Sequence, residues 1–192
     1  MPLEWLNTFF LGATFVVIML TAIAALVQLR HLRTSNQIGT MVALMEIWQG
    51  PELQQHYHYL LKEFPKKLAD PSFVATFRTD GLSREEHPEL LVADFWEQIG
   101  TYMKYGYLDE KSWLDIAGAQ IPRAWDILEP AIAASQERFG LSAWENFEYA
   151  AVRARQWAAR YPHGNYPQNV PRMAEWKRGQ ATVHAREAQE DE

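Results

Sequence analysis

With 192 residues, no cysteine and a formal net charge of −6, the chain has room for one domain plus accessories. The missing thiols exclude disulfides, thiolate metal centres and cysteine nucleophiles, and the lack of a basic stripe argues against nucleic-acid binding. Part of the negative charge lies at the very end, in Glu187, Glu190, Asp191 and Glu192, and every tryptophan but Trp5 lies beyond the N-terminal segment, where it implies a soluble core or an interface.

From Trp5 to Leu29 no side chain carries a charge. The densest stretch runs from Phe9 to Val27, about 20 residues that at about 1.5 Å each cover a hydrocarbon layer of about 30 Å. It is apolar on every side, as contact with lipid requires. A helix is the only single segment that pairs all of its backbone groups internally. Only Glu4 and the terminus precede the run, whereas Arg30, His31 and Arg33 follow it. Positive charge stays on the cytoplasmic side, which predicts an external N-terminus and a cytoplasmic domain at the inner (plasma) membrane. The expected anchor residues are Trp5, Phe9, Phe15, Leu20, Leu26, Arg30 and Arg33, with Trp5 at the outer interface and the arginines among the inner headgroups. A cleaved signal peptide would use Ala22-Ile23-Ala24 as its processing site, but the basic n-region is missing. The run is too long for an ordinary core helix. Thr14, Thr21 and Gln28 offer hydrogen bonds to a neighbouring helix, and Thr21 with Ala25 makes a small-xxx-small pair.

After Arg33 the pattern turns amphipathic without a breaker. Ile38, Met41, Val42, Met45 and Trp48 recur at helical spacing, predicting one helix that continues to about Gln49. Gly50 stops it and Pro51 opens the next, which carries Leu53, Tyr57, Leu60, Leu61 and Phe64 up to Pro65. Asp70-Pro71-Ser72 and Asp80-Gly81 read as turns, with Phe73–Phe77 between them either a short helix or an extended piece. Ser83 with Glu86 resembles a capping box, made ambiguous by Pro88.

A helix is predicted from Pro88 to Tyr105, with Leu91, Val92, Phe95, Trp96, Ile99, Tyr102 and Met103 on one face and Glu89, Asp94, Glu97 and Lys104 largely elsewhere. Gly106 closes it. Asp109 caps a helix with Trp113 and Ile116, which Gly118 and Pro122 interrupt. The pattern resumes with Ile121, Trp125, Leu128 and Ile132, with a bend expected at Pro130, and ends at Phe139-Gly140. Ser142 and Glu145 form a capping box ahead of Trp144, Phe147, Ala151, Ala154, Ala158 and Tyr161. Arg153, Arg155 and Arg160 suit the C-terminal half of that helix. From Pro162 onward Pro, Gly and Asn lead into a charged tail, loose or only partly helical.

The composite expectation is an all-α chain: one transmembrane helix continuing into a soluble bundle of about five helices, with an irregular C-terminal tail. The anchor occupies residues 1–33, the cytoplasmic helical domain 34–161 and the tail 162–192.

Signatures of chemistry are sparse. His56 and His58 point about 200° apart on a helix, the wrong spacing for one metal. His87 stands among Glu85, Glu86 and Glu89, where a dipole-favoured helix start explains the carboxylates better than acid–base work. His184 and Glu187 lie in the tail. There is no Glu-x-x-His pair, no phosphate-cradling loop and no Gly-x-Ser-x-Gly. Glu148 is the buried-carboxylate candidate, expected to pair with Arg123, Arg153 or Arg155. Trp96, Trp113, Trp125, Trp144 and Trp157 read as core. No cofactor or metal site is expected.

Three short stretches carry a likeness to known proteins: Gly106-Tyr107-Leu108-Asp109, Trp125-Asp126-Ile127-Leu128-Glu129-Pro130 and Asn146-Phe147-Glu148, after the juxtamembrane Leu29–Gln37 segment with its Arg30 and Arg33. Over residues 10–160 the chain resembles a family of uncharacterised prokaryotic single-span proteins, a domain of unknown function. The resemblance implies a span followed by a helical domain and carries no activity with it.

The expected role is a single-pass, membrane-anchored interaction or accessory protein, a subunit of or tether for a larger assembly. Its partners would be membrane lipid and either another membrane protein or a second copy. The alternative is a membrane-bound enzyme whose site is built from dispersed residues, with Glu148, His87 and nearby arginines as suspects. A pore would need the uncharged span to oligomerise.

Overall fold

The computed structural model describes residues 3–190, with side chains as far as Ala181. Among the described residues all regular structure is helical. The first helix, α1 (Leu3–Gln49), runs unbroken for 47 residues. It is long and apolar enough to cross a membrane, and none of its most apolar window is buried. The anchor–domain boundary expected at residues 33–34 therefore falls inside one helix. Contact with the domain starts at Arg33 and Gln37, beside Gly106, and core packing follows with Met41, Leu44, Met45 and Trp48.

Gly50 ends α1 in an extended conformation and Pro51 opens α2 (Pro51–Lys62). Phe64 belongs to a separate turn, α3 (Phe64–Lys67), because Pro65 starts this piece rather than ending the previous one. Phe73–Phe77 resolves as helix: α4 (Pro71–Thr76) is capped by Asp70, whose carboxylate accepts from Ser72 N at 2.8 Å. The principal helices that follow are α5 (Glu89–Lys104), α6 (Glu110–Ala117), α7 (Gln120–Phe139) and α8 (Glu145–Arg160). α7 continues through Pro130 without a break, at the loss of one backbone bond to the preceding turn. Gly140, at φ +89°, ends it in a conformation open to glycine alone.

The bundle is organised around α5, which packs against α8, α2 and α7. Its stripe Val92, Ala93, Trp96, Ile99, Gly100 and Met103 is buried. α8 lies on it through Phe147, Ala150, Ala151 and Ala154. The helices come so close at Gly100 that an added Cβ would stand 1.8 Å from the backbone oxygen of Asn146. α1 is fastened to this centre by Trp48, whose ring lies 5.0 Å from Tyr57, 5.5 Å from Phe95 and 4.9 Å from Trp96. Beyond α8 the chain is irregular to residue 172. A helix, α9 (Met173–Glu190), then follows, exposed as far as Ala181. His184 and Glu187 lie beyond the described side chains.

Two local expectations change. α8 does not start from a Ser142–Glu145 box. Trp144 precedes it at φ +63° and makes no side-chain cap. The cap comes from another helix: Glu97 of α5 accepts from Phe147 N and from Asn146 Nδ2, each at 2.7 Å. Lys104, two turns along, donates to Glu145 and Asn146 at 3.2 Å. Nor does Ser83 begin a helix, since its hydroxyl accepts from Glu85 N at 3.2 Å within a turn.

The cap on α6 is local and follows the expected pattern. Asp109 accepts from Ser112 N at 2.9 Å and Ser112 Oγ at 2.6 Å, and these bonds hold its carboxyl below the ordinary aspartate range. Because the folded value is depressed, this contribution is complete above the unfolded aspartate pKa, about 3.9, and disappears as the pH falls through the lower folded value. Asp109→Ala should cost about 1 kcal/mol of stability at neutral pH and nothing in acid. Unfolding curves at the two pH values check this, and an equal cost at both would contradict it.

Candidate functional site

Two places combine polar groups with unusual surroundings. The first is a trough between the lower half of α1 and the C-terminal end of α5. α1 contributes Leu29, Leu32, Asn36, Thr40, Ala43 and Ile47, a stripe at helical spacing. The other wall is Gln98, Tyr102 and the turn Tyr105-Gly106-Tyr107. The space measures about 1050 Å³ and continues, past Ile47 and Gln98, into a second hollow of about 490 Å³ bordered by Leu53, His56, Leu91 and Phe95. The turn is tied to α1 by Gln37 Nε2, which donates to the Gly106 carbonyl at 3.0 Å. Gly106 stands at φ +70°, which is why a glycine breaks the chain between two tyrosines.

The expected anchor side chains Trp5, Phe9, Phe15, Leu20 and Leu26 all point to the outside of α1, and Arg30 and Arg33 are exposed beyond them. Among the described residues neither arginine forms an ion pair.

The second place is buried. His87 is 3% and Glu89 0% exposed, and His87 Nδ1 lies 2.7 Å from Glu89 Oε1. Phe73 and Phe77 enclose the imidazole, with ring centres at 5.2 and 4.7 Å. Thr76 Oγ1 donates to the Phe73 carbonyl at 2.6 Å. The same hydroxyl lies 3.1 Å from His87 Nε2, within hydrogen-bond distance. Both ring nitrogens of His87 are therefore occupied, Nε2 by Thr76 and Nδ1 by Glu89. Nearby, Lys67 Nζ stands 5.3 Å over the Tyr59 and Phe73 rings. Its pKa is raised by the Tyr59 hydroxyl first and by the Glu89 charge after it.

The suspected catalytic set is not assembled. His87 is sealed between α4 and α5 and Glu148 is exposed on α8. Neither borders the trough or its extension. Of the arginines considered for Glu148, Arg153 pairs with Glu110, its Nε at 2.9 Å from Oε1; Arg155 pairs with Asp126; and Arg123 is exposed. His58 is exposed, while His56 is half-buried. No cluster of three metal-ligating side chains occurs among the described residues.

Sequence reasoning missed Glu89 as a buried group and Glu97 as a cap. The first left a signal. Glu89, Val92, Ala93 and Trp96 follow i, i+3, i+4, i+7, so Glu89 extends the buried stripe by one turn. Glu97 left none, because its partners lie about fifty residues away.

The three short stretches noted in the sequence now have structural roles. Gly106 makes the turn, Leu108 is buried and Asp109 caps α6. Trp125 and Leu128 are core, and Asn146 and Phe147 receive the cap from Glu97. No curated protein and no solved structure matches the chain. The domain of unknown function DUF4760 matches residues 15–154, most of the apolar helix and nearly all of the bundle, and the chain belongs to that family.

Proposed function

We propose that this is a single-pass membrane protein of the inner (plasma) membrane, with its N-terminus outside and its helical domain in the cytoplasm. There it serves as an interaction or accessory subunit of a larger membrane assembly. One observation carries the reading: α1 is a single helix whose first half is apolar and exposed on all sides, while its last turns are bolted into the domain core by Leu44 and Trp48. Some 20 apolar side chains exposed all round are stable in lipid and not in water. Because no breaker separates span from domain, the domain has a defined orientation to the bilayer, as a docking subunit needs.

The enzymatic alternative gains nothing from the geometry, since His87 and Glu148 do not share a cleft. Reporter fusions at both ends, with sizing in mild detergent, test the proposal. A cytoplasmic C-terminus and a complex larger than the monomer are the expected outcomes. An external C-terminus, or a monomer that cross-links to nothing in native membranes, would overturn it.

A further inference from the structure

We propose that the membrane-facing end of the α1–α5 trough binds an anionic phospholipid of the cytoplasmic leaflet, and that Tyr105 and Tyr107 form a second contact between domain and bilayer. This rests on the reading of α1 as a span.

Depth supports it first. Leu29 is the last residue of the uncharged run. Arg33 follows four residues later, about 6 Å along the helix axis. That places it within the headgroup layer, about 5–7 Å thick on each side of the hydrocarbon. The tyrosine turn is held close to this depth by Gln37, which donates to the Gly106 carbonyl at 3.0 Å, and Arg33 lies beside it, its Nη2 3.4 Å from where a Cβ on Gly106 would stand.

The side chains match the layer. Tyr105 and Tyr107 are 63% and 61% exposed, with rings 6.1 Å apart. A ring with a hydroxyl tip suits the boundary between acyl chains and water. Leu29 and Leu32 supply an apolar wall for the first methylenes of an acyl chain. Arg33 lies on the same face, with no acidic partner among the described residues. Its guanidinium is free to take a phosphate in a two-pronged bond, and Arg30 adds to the attraction of an anionic surface. A second copy of α1 fits this end poorly. In one membrane the copies are parallel, so Arg33 would meet its own counterpart.

Native mass spectrometry of the full chain, released from detergent in the presence of phosphatidylglycerol or phosphatidylcholine, tests the site. The wild type should retain phosphatidylglycerol with a several-fold preference. Arg33→Gln should bring that preference close to unity. Tyr105→Ser with Tyr107→Ser, exposed positions whose change leaves the helical circular dichroism intact, should weaken retention of both lipids. No preference in the wild type, or a preference unaltered by Arg33→Gln, would overturn the proposal. Alkaline washing of membranes holding the same proteins separates the two failures. A chain that stays in the bilayer without lipid preference loses only the lipid site, whereas one that washes out loses the span and the site together.

Discussion

Gly100→Ala should lower the melting temperature of the full chain in detergent by about 8–16 °C, from a loss of about 4 kcal/mol or more at about 2–4 °C per kcal/mol. The new Cβ would lie 1.8 Å from the Asn146 carbonyl oxygen and 2.4 Å from its carbon. Both are backbone atoms, so no side chain can swing aside. α8 would have to move away from α5 as a unit. That movement would also break the two 2.7 Å bonds from Glu97 that cap α8, and the Lys104 contacts beside them. Gly39→Ala is the control, since nothing lies within 4 Å of its added methyl. There alanine should be neutral or stabilising by up to about 1 kcal/mol. Thermal melts followed by circular dichroism read both changes. A Gly100→Ala protein melting within about 2 °C of the wild type would mean that the two helices do not meet at this point.

Glu89→Ala should cost about 3 kcal/mol, the upper end of the usual penalty for leaving a buried hydrogen-bonding group without its partner. The cause is the group left behind. Thr76 Oγ1 is the partner of His87 Nε2, so Nδ1 loses its only partner while the imidazole remains enclosed by Phe73 and Phe77. Glu89→Gln, which keeps a hydrogen-bonding oxygen, should cost clearly less. Replacing both residues, as His87→Phe with Glu89→Leu, should cost far less than the sum of the single changes, because no polar group is then stranded. A double-mutant cycle on unfolding free energies measures this, and additive costs would show that the two side chains do not act as a pair.

The parts of the fold that the sequence reveals are those governed by neighbours along the chain. The uncharged run and its flanking arginines, the Gly50-Pro51 break, the Asp109 cap and the Gly140 stop each depend on a few adjacent residues, and each is found where local rules put it. Tertiary contacts override those rules elsewhere. Ser142 and Glu145 have the spacing of a capping box, yet Glu97 reaches α8 from another helix and leaves Glu145 to pair with Lys104. The aromatic neighbours of Glu148 suggest a buried carboxylate, but α8 turns inward through Phe147 and Ala151 and leaves Glu148 in solvent. The charge of Glu89 argues for a place largely off the apolar face of α5, although its helical position lies on the buried stripe. The trough was not legible at all. It is lined by α1 and by the far end of α5 and its turn, segments about sixty to seventy residues apart that no local pattern brings together.

Alkaline carbonate extraction of membranes carrying the full chain tests the central claim most directly. The account predicts that the protein remains in the membrane pellet, and that replacing two mid-run residues with charges, as Phe15→Asp with Leu20→Lys, moves it to the soluble fraction. A wild-type protein recovered in the supernatant would contradict the account.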